Sequence, residues 1–318
     1  MKINLKFFYI EKVFRKKRMV LFLPGGGCAW AKKSGGCYMC GFNFKLKKLT
    51  KWKTPSSGLL LALFWISNLY SKLIKPQSLV IYNGGSFLND DEIPLKIQEE
   101  ICRQIARHPT IEELFVESRP EFITDEKIRK LKHLVGKKKL KVGIGLECAS
   151  DDIRERCIHK GFQGKDYEKA VEILKKNGVR VLTYVFLKPI FLSEREAIEE
   201  AVRTIEYAFR NGSDEVALEA AFIQKGTLME RLYRRGKYRP PWLWSIIKIV
   251  RETHHLGPVY IGSFTDEPPP IDIPRNCKKC SPMVSSLIQK YRETGDISIF
   301  TDAHCQCEKE WQKELEKQ

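Results

Sequence analysis

The sequence predicts an α/β protein whose parallel strands close into a partial (βα)6 barrel, with a small four-cysteine metal-binding module at its C-terminal end. Three observations predict it. Short apolar, β-branched runs alternate with helix-patterned stretches from Met19 to Leu218, the order of a parallel sheet covered by helices. Of ten cysteines, seven fall into two tight groups, one near each end of the chain. The length, 318 residues, accommodates one barrel-sized domain and a small appendage. Periodicity alone also admits an open doubly wound sheet; the first cysteine group decides for the barrel.

The predicted strands are Met19–Leu23, Leu79–Tyr82, Glu113–Val116, Val142–Leu146, Arg180–Phe186 and Glu215–Leu218. Between them, helical spacing runs over Gly58–Leu73, Pro94–Ala106, Thr124–Leu134, Tyr167–Asn177 and Glu194–Phe209. Asp166 is placed to cap the fourth helix and Gly178 to stop it. Beyond residue 220 the alternation weakens. Basic helices are expected at Thr227–Arg235 and Trp242–Thr253, then a strand at Val259–Ile261 and a boundary at the triple proline Pro268–Pro270. The expected organisation is a basic N-terminal segment (1–18), the barrel (19–225), a basic extension completing the core (226–270) and the cysteine module (271–318).

Lys and Arg number 56 against 39 Asp and Glu, a formal net charge of +17, which points to a polyanionic partner. Residues 1–53 hold fourteen Lys or Arg and one acid, Glu11, so the charge is concentrated beside the first cysteine group. The apolar stretches near the N-terminus are short and interrupted by Arg15, Lys16, Lys17 and Arg18, unlike a secretory signal. The longest apolar run, Leu59–Ile66, is far below the ~20 residues of a bilayer span. A soluble cytoplasmic protein with no membrane partner is expected, and in that compartment clustered cysteines are metal ligands rather than disulfides. Cys102, Cys148 and Cys157 stand apart and read as buried small hydrophobes.

The segment LPGGGCAWAKKSGGCYMCGF sets Cys28, Cys37 and Cys40 in a C-x8-C-x2-C pattern directly after a predicted strand. Three thiolates on a four-iron cube leave one iron open to an outside ligand, whereas electron-transfer clusters are held by four. A zinc site completed by a distant residue uses the same closing C-x2-C, but the glycine-rich arm suits a loop around a bulky cluster, and no His lies in the segment. Over residues 19–240 the chain resembles the radical S-adenosylmethionine (SAM) superfamily, in the branch of the Elongator catalytic subunit. YNGGSF at Tyr82–Phe87 resembles the superfamily's Gly-Gly segment, whose exposed backbone holds the methionine amino group. ESRPEFI at Glu117–Ile123 and GIGLECASDDIRERCIHKGF at Gly143–Phe162 resemble the ends of the third and fourth barrel strands. The resemblance implies a [4Fe-4S] cluster on Cys28, Cys37 and Cys40, and a SAM site lined by Gly84, Gly85, Glu117, Arg119 and Glu147, with Lys160 a candidate carboxylate partner. The eight-residue spacing departs from the three of the commonest pattern, which changes the loop and not the ligand count.

Within that branch the segment Trp30-Ala31-Lys32-Lys33, followed by Gly36, Cys37, Met39, Cys40 and Gly41, is similar to the radical SAM subunits of archaeosine synthases. IQKGTLMERLYRRGKYRPPWLW, after the sixth strand, resembles the same family. That similarity implies a tRNA-modifying lyase. It would act on the 7-deazaguanine of the D-arm after a lysine-transferring subunit has attached lysine, breaking a C–N bond through a 5′-deoxyadenosyl radical, with an outside electron donor. Lys45, Lys47, Lys48, Lys51 and Lys53, with Phe44 and Trp52 interleaved, and Arg231, Arg234, Arg235, Lys237 and Arg239 are the candidate RNA contacts. The alternatives are another radical SAM tRNA-modifying enzyme of the Elongator-like branch, or a non-catalytic iron–sulfur or zinc RNA-binding protein. A methylthiotransferase or Elongator-like acyltransferase would need a further domain, for which eighteen residues before the first strand and a short tail are expected to leave no room.

Cys277, Cys280, Cys305 and Cys307 form C-x2-C, twenty-four residues, then C-x-C. Four soft ligands with no open position describe structural zinc, although a second iron–sulfur cluster would use the same residues. His304 is expected to face solvent or RNA, among Arg275, Lys278, Lys279 and Lys290.

Overall fold

The computed structural model describes residues 7–265 and 269–316; Pro268 lies outside them. Eight strands form one sheet in sequential order: β1 (Phe8–Val13), β2 (Lys16–Phe22), β3 (Ser78–Tyr82), β4 (Glu113–Glu117), β5 (Lys139–Glu147), β6 (Arg180–Leu187), β7 (Glu215–Ala220) and β8 (Val259–Ile261). Strand β1 is antiparallel to β2; β2 to β3, β3 to β4, β4 to β5 and β7 to β8 are parallel. All six predicted barrel strands are present, as is the predicted Val259–Ile261. The helices are α1 (Ala29–Ser34), α2 (Phe42–Thr50), α3 (Ser57–Ile74), α4 (Leu95–Ala106), α5 (Asp125–Val135), α6 (Asp151–Ile153, running on as a π-turn to Ile158), α7 (Gly164–Lys176), α8 (Glu194–Arg210), α9 (Leu228–Arg234), α10 (Leu243–Thr253), α11 (Ser281–Thr294) and α12 (Glu308–Glu316).

The chain divides into two compact units. The first comprises Met1–Gly36, Phe42–Ile144 and Lys165–Leu182; the second comprises Cys37–Gly41, Gly145–Gly164 and Thr183–Gln318. In the first, β3 and β4 are buried along their length except at their last residues, as strands covered on both faces require. In the second, α8 lays Ala197, Ile198, Ala201, Ile205 and Ala208 inward, and its start is fixed by a capping box between Ser193 and Glu196, which satisfies two otherwise orphaned helix N–H groups.

Three expectations are corrected. The strand at Met19 is not the first: Phe8–Val13 precedes it and pairs with Lys16–Phe22 in a hairpin whose turn, Phe14 and Arg15, takes positive φ (45° and 65°) without glycine; Asn-Gly-type chemistry, the usual signal of such a turn, is absent. Asp166 does not cap α7, which begins two residues earlier. The Gly164 N–H donates instead to Asp151 Oδ1 at 2.7 Å, while Gly178, at φ 64°, follows the helix as expected. The run Leu59–Ile66 lies inside an 18-residue helix that is long and apolar enough to cross a membrane by length and composition, with only 22% of it buried.

Candidate functional site

In the first unit, the ends of β2, β3 and β4 carry the cluster loop, the Gly-Gly segment and Glu117. Register aligns Phe22 with Tyr82 and Glu117 with Gly143, so these segments leave at the carboxyl ends of parallel strands, where barrel enzymes place their active groups. Gly84 has φ 70°. Gly85 has no room for a side chain: a Cβ would lie 1.8 Å from Glu92 Oε2 and 3.1 Å from the Cys28 Cα.

Glu92 organises this region. Its Oε1 accepts from the Ala29 N–H and Asn89 Nδ2, each at 3.1 Å. Its Oε2 accepts from the Ser86 N–H at 2.7 Å and Asn83 Nδ2 at 3.2 Å. Thus one buried carboxylate ties the residue after Cys28 to the residue after Gly85. Burial pushes its pKa up, and the Ser86, Asn89 and Ala29 donors pull it back, as hydrogen bonds to a charged form do. Burial likewise raises the Cys28 thiol. Nothing in NDDEIP separates Glu92 from a solvated acid, and sequence reasoning missed it. Glu92→Leu would leave four donors without this acceptor, at ~1–3 kcal/mol for each one that stays buried and unpaired. It is expected to lower unfolding free energy by at least about 3 kcal/mol in chemical denaturation, and Glu92→Gln by less.

Arg119 also serves the loop. Its guanidinium lies 5.3 Å from the centre of the Trp30 ring, its Nε donates to Glu121 Oε1 at 2.5 Å, and its backbone N–H donates to Ser86 Oγ at 3.1 Å. Glu117 is half-buried and its carbonyl accepts from the Phe87 N–H at 2.8 Å.

In the second unit, Cys37 and Cys40 close a turn in which the Cys40 N–H donates to the Cys37 carbonyl at 3.1 Å. Tyr38 bonds through its N–H to the Ile158 carbonyl at 2.9 Å and stacks on His159 with ring centres 5.2 Å apart. Cys37, Tyr38 and Met39 pack against a buried cluster of Cys148, Ile158, Phe186, Ile190, Ala221, Ile223 and Met229. The Gly41 N–H donates to Gln224 Oε1 at 2.5 Å. The turn is therefore held by protein contacts. At the end of β5, Glu147 has φ 67° and pairs with Lys160 at 2.6 Å, both side chains about nine-tenths buried. Gly145 makes space for that pair, because a Cβ would come within 2.6 Å of both partners. Arg154, fully buried, donates to the carbonyls of Leu146, Cys148 and Ala149 and so fixes the backbone on both sides of Glu147. Its role is not legible in the motif GIGLECASDDIRERCIHKGF, where it is one basic residue among several.

By donor chemistry alone, three thiols with no fourth in their segment are a set that would suit a cluster with one open iron. Cys28, Cys37 and Cys40 are each partly exposed and none forms a disulfide, whereas Cys102, Cys148 and Cys157 are buried as expected. The four C-terminal cysteines are brought together: Cys277 to Cys280 is 3.6 Å, Cys277 to Cys305 is 3.7 Å and Cys280 to Cys307 is 3.5 Å between sulfurs, all four lying within 4.8 Å of one another. These edges match the ~3.8 Å expected of a tetrahedron with 2.3 Å metal–sulfur bonds. The Cys277 thiol is lowered to about 7, first by the Cys280 backbone N–H. His304 is exposed, as predicted.

Among the basic candidates, Lys47, Lys48, Lys51 and Lys53 are exposed with Phe44, and Lys47 lies over the Trp52 ring at 5.1 Å; the Lys45 side chain is outside the described residues. Arg231, Arg235 and Lys237 are exposed, Arg234 pairs with Glu230 at 2.8 Å, and Arg239 is taken up by Glu314 and the Trp242 ring.

No family model matches the chain. In fold it is similar to Elp3 of Methanocaldococcus infernus, with TM-score 0.52, 18% identity, and coverage of 74% of this chain and 61% of that one. It is also similar to Streptococcus suis SuiB in a structure bound to S-adenosylmethionine, with TM-score 0.50, 13% identity, and coverage of 77% and 50%. Two curated relatives are much nearer in sequence. The archaeosine synthase subunit beta of Thermococcus kodakarensis is 31% identical across 92% of this chain and 90% of the relative. That of Methanosarcina acetivorans is 34% identical over 310 residues, 94% of this chain and 85% of the relative. Identity at this level over nearly the whole of both chains shows that the chain belongs to the archaeosine synthase subunit beta family.

Proposed function

We propose that this chain is the radical SAM subunit of a tRNA-modifying enzyme that cleaves a C–N bond of a lysine adduct on 7-deazaguanine, leaving the amidine of archaeosine. The observation that carries the reading is the three-thiolate segment Cys28, Cys37 and Cys40 in a chain of this family. The bond in question joins nitrogen to an alkyl carbon with no acidic neighbour, so acid–base groups alone have little to act on. A [4Fe-4S] cluster on those thiolates, with SAM at its open iron, supplies reductive SAM cleavage and hydrogen-atom abstraction when bound.

The chain's own residues position and shield. Gly84 and Gly85 offer bare backbone to the methionine amino group. Glu92 holds that backbone and the Cys28 loop together, and Arg119, stacked on Trp30, steadies the loop. Glu117 and the Glu147–Lys160 pair offer polar groups to the rest of SAM. At the C-terminal module we assign zinc to Cys277, Cys280, Cys305 and Cys307, because sulfurs 3.5–3.7 Å apart suit one central ion, whereas a four-iron cube ends its thiolates on different irons.

The exposed Lys47, Lys48, Lys51 and Lys53 and Arg231, Arg235 and Lys237 would bind tRNA phosphates. Arg231→Ala with Arg235→Ala is expected to weaken tRNA binding and to reduce the slope of log affinity against log salt by about one for each phosphate no longer neutralised. The function is tested by mass spectrometry of lysine-adducted tRNA incubated anaerobically with the protein, SAM and dithionite. Loss of the lysine carbon skeleton with its nitrogen retained on the base as the amidine, matched by 5′-deoxyadenosine, is the expected result. SAM turnover with the adduct intact would favour another Elongator-branch enzyme, and a loaded cluster that never cleaves SAM would favour a non-catalytic RNA-binding protein.

A further inference from the structure

Helix α3 is built inside out. Its buried face is Leu60, Phe64, Ser67 and Ser71, half of it serine. The exposed face carries Leu59, Trp65, Ile66, Leu69, Tyr70 and Leu73, between 42% and 78% exposed. Leu59, Ala62, Ile66, Leu69 and Leu73 alternate spacings of three and four, the narrow seam by which one helix packs on another. The stripe continues onto the edge strand β1, where the Phe8 ring meets Tyr70 with centres 5.0 Å apart and Ile10, on the same strand face as Phe8, is 37% exposed. Contiguous exposed apolar surface of this kind marks an interaction site.

We infer that the outer face of α3, with Ile10 beside it, is the docking surface for a partner protein that presents an apolar helix or groove bordered by carboxylates. This rests on the proposed function, under which that partner is the lysine-transferring subunit. Charge selects the occupant. Residues 12–89 contain fourteen Lys or Arg and no Asp or Glu. Lys72 and Lys75, which are not among the lysines assigned to tRNA, lie at the C-terminal end of α3, and both are exposed. A second copy docked by the same face would set like charges together, which costs affinity, whereas an acidic rim matches them. The inner face opposes withdrawal of the helix into a bilayer. His108 accepts the Thr110 and Ile111 N–H groups at Nδ1, so its Nε2 carries the proton and donates to Ser71 Oγ at 2.8 Å in a buried site. Ser67 and Ser71 also donate to the Phe64 and Asn68 carbonyls. Leaving the fold would break the Ser71–His108 bond and put both partners against lipid.

The test uses the full cluster-loaded chain with Ile66→Glu and Leu69→Glu together. Both positions are exposed and lie outside the groups assigned to SAM and tRNA, so SAM cleavage and turnover of tRNA that already bears the lysine adduct should match the unsubstituted chain. Affinity for the purified lysine-transferring subunit, measured by calorimetry, should fall at least about 30-fold, the loss expected on placing charge in the centre of a packed interface. Four outcomes overturn the inference: unchanged affinity, no binding by the unsubstituted chain, self-association abolished by the double substitution, or binding to phosphatidylglycerol vesicles in place of the subunit. Failure to process lysine-adducted tRNA would instead overturn the functional reading, because that assay needs no partner.

Discussion

Cys40→Ala, loaded anaerobically with iron and sulfide, is expected to release no 5′-deoxyadenosine from SAM while folding like the unsubstituted chain. The fold should survive because the turn does not depend on metal. The Cys37–Cys40 backbone bond, the Tyr38 bond to Ile158 and the packing of Tyr38 and Met39 on the Met229 cluster all remain. What goes is one of three thiolates, and a cube with two protein ligands is poorly retained. Iron content, the cluster's visible absorbance and 5′-deoxyadenosine should fall together to background. Cys148→Ala is the matched control. That thiol is fully buried in the same cluster and raised well above its ordinary value, chiefly by burial, so it is a packing group. Its loss should cost about 1 kcal/mol of stability and leave SAM cleavage in place. Cleavage surviving in Cys40→Ala, or lost in Cys148→Ala, would overturn the ligand assignment.

What the sequence made legible follows from where burial acts. Strands such as Leu79–Tyr82 and Glu113–Val116 are covered on both faces, so they read as apolar runs, and their ends could be placed within a few residues. Helices α4, α5 and α8 show their apolar stripes for the same reason. Strand β1 was invisible because it is half-exposed and joined to β2 through Phe14 and Arg15, which carry no turn signal. Within the site, cysteines and glycines announce themselves by spacing, whereas a carboxylate does not. Glu92 and Asp91 are neighbours in the sequence, yet the first is buried with four donors and the second is exposed. The direction in which α3 faces was hidden too, since apolar residues lie on both its faces and periodicity cannot say which of them the fold covers.

Cys280→Ser, or removal of metal by a strong chelator, is expected to unfold residues 277–316 and to lower the stability of the second unit. Apparent binding free energies of structural zinc, ~10–16 kcal/mol, are as large as the whole ~5–15 kcal/mol that separates folded from unfolded domains. Beside the metal, this short segment has α11 and α12 and only a small core of Val284, Ile288, Tyr291 and Phe300 to hold it. The loss should spread through the tryptophans that tie α10 and its approach to the module. Trp244 Nε1 donates to Cys307 Sγ at 3.4 Å, Trp311 Nε1 to Ser245 Oγ at 2.9 Å and Trp242 Nε1 to Glu314 at 2.8 Å, and Ser245 in turn donates to Glu194 at the start of α8. Releasing the module frees these indoles, so tryptophan emission should shift to the red as hydrogen exchange rises over α11, α12 and α10. The unsubstituted protein should hold one zinc and about four irons per chain, and Cys280→Ser the same iron without zinc. Iron near eight per chain, or a chelated protein with an unchanged melting temperature, would mean that the four thiolates hold a second cluster or that the module stands without a metal.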